Sequence, residues 1–146
     1  MKKEELNPTC VIEGLNRFLQ KNEEIIAVYL FGSYAKDNKQ VKNDVDVAVL
    51  LDNFKEEKEM EILLRYKREL ENQFCKDVDV VILNTAPPLL KQQIFYYGIK
   101  VNERDRKKLV DFRVKSYFEQ FDLLEINKKI FAINKEKINR RIRDGR

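Results

Sequence analysis

Three aspartates and one Gly-Ser pair are the residues of this chain whose types and spacing could do chemistry. Asp44 and Asp46 stand one residue apart at the mouth of the apolar run Val45–Leu51, and Asp79 lies inside another, Val78–Leu83. An unpaired charge out of water costs several kcal/mol or more, so buried strands rarely carry carboxylates. Alternate side chains of a strand share a face, which sets Asp44 and Asp46 on one side, about 7 Å apart along the chain. With Asp79 on a neighbouring strand, three carboxylates come within a few Å. At roughly 4 Å and an effective dielectric near 20, each like-charged pair costs about 4 kcal/mol. A hard divalent cation offsets that repulsion, and Mg²⁺ is the usual one where phosphates share an all-oxygen site.

Gly32-Ser33 ends an earlier apolar run, Ile25–Phe31. A glycine at a strand end lets the backbone approach an anion closely, and a following short helix would offer N–H groups and its positive end. The serine hydroxyl is a further donor. Together these residues form the apparatus for moving a phosphoryl or nucleotidyl group, with no side-chain nucleophile required. Asp77 is the rival for the third acidic position, but beside Lys76 and ahead of the strand it reads as a solvated turn residue. The chain has no histidine, which removes Ser-His-Asp and Cys-His nucleophiles and histidine-ligated metal from consideration.

These residues need elements to hold them. Asn7-Pro8-Thr9 reads as a helix start, followed by Val11, Ile12, Leu15, Phe18 and Leu19 on one helical face. The runs 25–31, 45–51 and 78–83 are rich in β-branched and aromatic residues and read as buried strands. A helix is expected over 56–74, with Met60, Leu63, Leu64, Lys67, Leu70 and Phe74 as its inner stripe. Pro87-Pro88 opens another helix to about Tyr97, capped at Gly98, and Ile99–Val101 reads as a short edge strand. From about Asp105 to Arg143 the pattern is helical, as two helices or one bent one. The class is α/β.

At 146 residues, 43% of them hydrophobic and 37% charged, the chain is one domain with a real core and a well-solvated surface. No apolar run approaches a membrane span and the N-terminus lacks a signal-peptide stretch, so a cytoplasmic protein is expected. Cys10 and Cys75 are expected as reduced, packed thiols. The net charge of +4 is unevenly spread: residues 1–99 carry 14 Lys/Arg against 17 Asp/Glu, and residues 100–146 carry 15 against 8. The basic excess suits an acidic protein surface, nucleic acid or plain solvation.

The Gly-Ser, spacer, Asp-x-Asp and third strand aspartate resemble the nucleotidyltransferases of the DNA polymerase β superfamily. Within it the pattern is closest to the minimal nucleotidyltransferases, of the MntA antitoxin type found in HEPN/MNT toxin–antitoxin pairs. The stretch Ala86–Arg106 matches by pattern as well. The resemblance implies a small mixed sheet flanked by helices, a polymerase-β-like palm. The residue pattern itself sets a core over residues 1–103 and a helical extension over 104–146, whose apolar positions Leu109, Phe112, Phe121, Leu124, Ile130, Phe131, Ile138 and Ile142 are expected to cover that core. The resemblance assigns phosphate binding to Gly32 and Ser33, and metal binding and catalysis to Asp44, Asp46 and Asp79, with two Mg²⁺ ions and ATP as substrate. Many relatives carry a basic residue where Tyr34 stands and a glycine where Asp37 stands, and Lys36 is the cation left near the phosphates. The activity implied is transfer of AMP from ATP to a tyrosine hydroxyl of a HEPN ribonuclease toxin, in a complex with it. Two alternatives stay open: a small-molecule nucleotidyltransferase of the aminoglycoside-modifying kind, and a non-catalytic module that inhibits a toxin by contact. Nothing in the sequence calls for membrane attachment or direct nucleic-acid binding, although the basic tail leaves the latter open.

Overall fold

A computed structural model of the chain describes residues 6–35 and 44–145. Asn7 caps the first helix, α1 (Pro8–Lys21), by accepting the Thr9 N–H at 3.1 Å, with Pro8 in the first turn where no N–H is needed. The strands are β1 (Ile25–Phe31), β2 (Val45–Leu51), β3 (Val78–Ile82) and β4 (Ile99–Glu103), and the other helices are α2 (Glu59–Phe74), α3 (Pro88–Tyr97) and α4 (Arg106–Asp144). The sheet runs β3-β2-β1-β4, with β2 and β3 parallel and the other pairs antiparallel. The expected small mixed sheet flanked by helices is therefore present.

Alternation along the strands divides the interior into two cores. Val28, Leu30, Val45, Val47, Val49 and Val78 face one side, against Val11, Leu15 and Phe18 of α1 and Tyr66 and Leu70 of α2. Tyr29, Ala48 and Leu50 face the other, against Ile94 of α3 and Leu109 of α4. Arg104, between β4 and α4, fastens the chain after β4 to the α1–β1 connection by donating to the carbonyls of Leu19, Asn22 and Ile25 at 2.5–2.8 Å.

The inner stripe of α2 is rotated from the expected one. Met60 and Leu64 are 67% and 57% exposed, whereas Tyr66, Leu70 and Phe74 are buried. Tyr66 takes the central place because its ring packs edge-on against Phe18 and its hydroxyl donates to Glu24 at 2.6 Å. A buried tyrosine is favourable only where its polar end finds such a partner. Cys10 and Cys75 are both free and exposed, not packed: Cys10 falls outside the buried stripe of α1, and Cys75 sits at the left-handed end of α2.

The C-terminal region is a single helix of 39 residues, about 58 Å long at 1.5 Å per residue. Only its first turns pack on the core. Leu109 and Ser116 are buried, while Phe121, Leu124, Ile130, Phe131, Ile138 and Ile142 are 49–73% exposed, against the expectation that these positions cover the core. The reason is length. Its neighbour α3 has ten residues and spans about 15 Å, so α4 outruns everything it could lie on.

Candidate active site

The parallel pairing of β2 and β3 starts at one rung. The Val45 N–H donates to the Asp77 carbonyl at 3.0 Å, and the register then sets Asp46 directly opposite Asp79. On the other side of β2, Phe31 at the end of β1 is the partner of Asp46. Phe31, Asp46 and Asp79 thus form a row across the end of the sheet. Their strand neighbours Val45, Val47, Val78 and Val80 pack into the core under α1 and α2, so by alternation the two carboxylates point to the opposite face. Asp77 stays exposed ahead of β3 and contributes its backbone, in keeping with a turn residue.

Gly32 follows Phe31 and begins a 3₁₀ turn, Gly32–Ala35. Its φ is +69°, a conformation that a residue with a Cβ adopts only at a cost, and a Cβ built there would overlap Oδ2 of Asp46. The glycine is thus required twice: for the turn, and for the approach of the backbone to the carboxylate. The expected short helix after Gly-Ser is only this one turn, too short for a helix dipole. The donors offered are the turn's own N–H groups and the exposed Ser33. Tyr34 is buried and its hydroxyl accepts from Lys76 Nζ at 2.8 Å, pinning the turn to the chain just before β3. Lys76 is the site residue that sequence reading passed over; its position two residues ahead of a strand bearing Asp79 was the available signal. Lys36 lies outside the described residues.

Asp44 is exposed immediately before β2, Asp46 is half-buried and Asp79 is exposed. The Asp46 carboxyl is held above the usual carboxylate range, first by burial and then by the negative charges of Asp79 and Asp44. Asp46, between the other two, therefore feels the charge of both. Among the described residues no three acidic or thiol side chains converge as they stand to hold an ion. Uncompensated like charges repel, and a cation between them removes that repulsion. The donor set, carboxylate oxygens beside backbone amides without thiol or imidazole, fits a hard divalent cation and a phosphate.

Residues 13–107 match the family model described as polymerase beta, nucleotidyltransferase, and the chain belongs to that family. A candidate protein adenylyltransferase of Methanocaldococcus jannaschii is 39% identical over 72 residues, covering 49% of this chain and 74% of the relative. Among solved structures, a chain of a toxin–antitoxin complex with AMP-PNP is 26% identical with a TM-score of 0.67, over 83% of this chain and 95% of its own. A chain from the tri-AMPylated Shewanella oneidensis HEPN toxin in complex with MNT antitoxin gives a TM-score of 0.65 at 23% identity, over 86% and 96%. At that identity the second likeness speaks for the fold alone. No described helix is long and apolar enough to cross a membrane.

Proposed function

We propose that this chain is an antitoxin-type protein adenylyltransferase, moving AMP from ATP to a tyrosine hydroxyl of a HEPN ribonuclease toxin and releasing pyrophosphate. The observation that carries it is the packing of Gly32 onto Asp46, with Asp79 opposite it on the neighbouring strand: a phosphate-approach turn and a carboxylate pair share one sheet end.

The Gly32–Ala35 turn and Ser33 hold the triphosphate, and Lys76 fixes the turn through Tyr34. Asp44, Asp46 and Asp79 would hold Mg²⁺, which supplies positive charge to the acceptor oxygen and the triphosphate when bound. A tyrosine hydroxyl ionises near pH 10 and is a weak nucleophile at neutral pH. Asp79, exposed opposite Asp46, would help to hold the metal beside the acceptor or take the proton itself. The phenolic oxygen attacks the α-phosphorus in line, the bond to the bridging oxygen breaks, and pyrophosphate leaves with that electron pair. No covalent enzyme intermediate is needed.

The test is to incubate the chain with labelled ATP, Mg²⁺ and a HEPN-domain toxin from the same genome, then weigh the toxin. Added AMP on a tyrosine supports the reading. Label on a small molecule, or toxin inhibition without any mass change, rejects it.

A further inference from the structure

Tyr96 and Tyr97, the last residues of α3, are 82% and 72% exposed, whereas Tyr29, Tyr34 and Tyr66 bury their rings. The two rings meet edge-on, with 4.9 Å between centroids and 72° between planes, which leaves ring faces open to a third partner. Position decides what such a pair is for. Gly98 follows it and lets the chain turn tightly against β1: a Cβ there would overlap the Ile94 carbonyl oxygen and come within 3.3 Å of the Leu30 carbonyl oxygen. Ile99 then pairs with Leu30, one residue before the row of Phe31, Asp46 and Asp79. Through Ile94, α3 packs on the second core, and the carboxylates face that side of the sheet. The tyrosine pair and the carboxylates thus share one end and one face. From β4 to β2 is two strand spacings, about 10 Å, an interval that a ribose bridges between a phosphate and its base.

The flank of α3 matters as well. Phe95 and Lys91 face α4, Phe95 against Phe112 at 6.2 Å between ring centroids and Lys91 on Glu119 at 2.7 Å. At about 100° per residue, Gln93 and Tyr97 each stand about 200° from Phe95, on the flank that α4 leaves open. With Gln92 and Tyr96 they line an open hollow of about 290 Å³, at the small end of ligand pockets. It has room for a base and not for a whole nucleotide. Aromatic rings give a base a stacking platform, and a glutamine amide can pair at once with a ring nitrogen and the exocyclic amine of adenine.

We infer that Tyr96, Tyr97 and Gln93 form the adenine subsite: the base of ATP stacks on the tyrosine pair while the Gly32–Ala35 turn holds its phosphates. The turn and the carboxylates recognise only triphosphate and metal, so this subsite is what selects the nucleotide. The inference rests on the nucleotide-binding reading above and goes beyond it by assigning the base.

The experiment titrates the full chain, with Mg²⁺ present, against AMP-PNP and separately against tripolyphosphate. Tyr96→Ala with Tyr97→Ala should weaken AMP-PNP binding by about 10-fold or more, the scale of losing base stacking. Tripolyphosphate binding and the melting temperature should stay unchanged. Tyr96→Phe with Tyr97→Phe keeps both rings and should keep the affinity. Gln93→Ala should reduce the preference for ATP over CTP, read as competition with AMP-PNP. Wild-type AMP-PNP affinity in the double alanine variant overturns the inference. An equal loss for tripolyphosphate also overturns it, by tracing the effect to the phosphate turn, and so does a wild-type chain that binds ATP and CTP alike. A wild-type chain that binds neither AMP-PNP nor tripolyphosphate overturns it together with the phosphate and metal assignments on which it rests.

Discussion

Gly32 and Asp46 contend for one small volume at the end of the sheet: a Cβ on Gly32 would overlap Oδ2 of Asp46. Gly32→Val should therefore abolish nucleotide use, displacing the carboxylate and straining a backbone at φ +69°, by about 1–2 kcal/mol for the conformation alone. Ser33→Ala removes one donor to a charged acceptor and should weaken ATP binding more mildly, by about 1–3 kcal/mol. Isothermal titration with a non-hydrolysable ATP analogue checks both. Unchanged affinity in Gly32→Val would mean that the phosphates bind elsewhere.

Asp46→Asn should lower transfer by at least about 100-fold, as expected for removing a charge that organises the transition state. The same variant should melt higher than wild type at neutral pH without divalent cation. The folded carboxyl is held above its ordinary value of 3.8 by burial, Asp79 and Asp44, so folding favours the protonated form. Ionising Asp46 then costs stability as pH rises from the ordinary carboxylate range through the folded pKa. Below that range both forms are neutral and the advantage of asparagine should vanish. Mg²⁺ should raise the wild-type melting temperature more than the variant's. Thermal melts at several pH values, with and without Mg²⁺, measure all of this.

Glu24 gives the opposite pH response. Burial alone would raise its pKa, but hydrogen bonds from Tyr66 and its own backbone, with Arg65 and Arg104 nearby, outweigh burial and leave it lowered. A lowered carboxyl stabilises the fold above its ordinary pKa, and that stability is lost as pH falls through the folded value. Glu24→Gln should flatten this part of the acid unfolding curve. Glu24→Ala should cost about 1–3 kcal/mol at neutral pH, because the buried Tyr66 hydroxyl and Arg65 lose their acceptor. Equal acid sensitivity of wild type and Glu24→Gln would assign the acid response to other groups.

The end of α4 carries Arg140, Arg141 and Arg143, and Arg140 is paired with Glu136 on the same helix. Replacing the three arginines by Glu should slow association with an acidic partner, more strongly at low salt where screening is weakest. Transfer chemistry measured at saturating partner should be unaffected. Stopped-flow association rates against ionic strength decide it; matching salt slopes would make these arginines a solvated helix end.

Much of this arrangement was legible in the chain. The strand around Asp46 and the one around Asp79 each show an apolar run interrupted by a carboxylate, a pattern that burial and charge together make costly without a purpose. The Asn7-Pro8 cap and the Pro88 helix start follow from local hydrogen-bonding rules and appear where expected. What escaped was set by distant partners. Tyr66 displaced Met60 and Leu64 from the interior because Phe18 and Glu24, far away in sequence, suit an aromatic alcohol. The apolar stripe of α4 was visible, but whether it faces its own core or open solvent depends on the length of α3, which periodicity within α4 does not report. Lys76 was overlooked because its partner, Tyr34, lies 42 positions away.

The shared starting rung of β2 and β3 has a further effect. A one-residue slip of β2 would exchange its two faces, turning Asp46 into the valine-lined core under α1 and α2 and Val45, Val47 and Val49 out of it. A chain mispaired in that way sinks the Asp46 charge into an apolar core without a partner, at a cost of several kcal/mol. The two carboxylates are thus inspected by the folding reaction itself. The register that keeps this charge out of the core is the one that sets Asp46 beside Asp79.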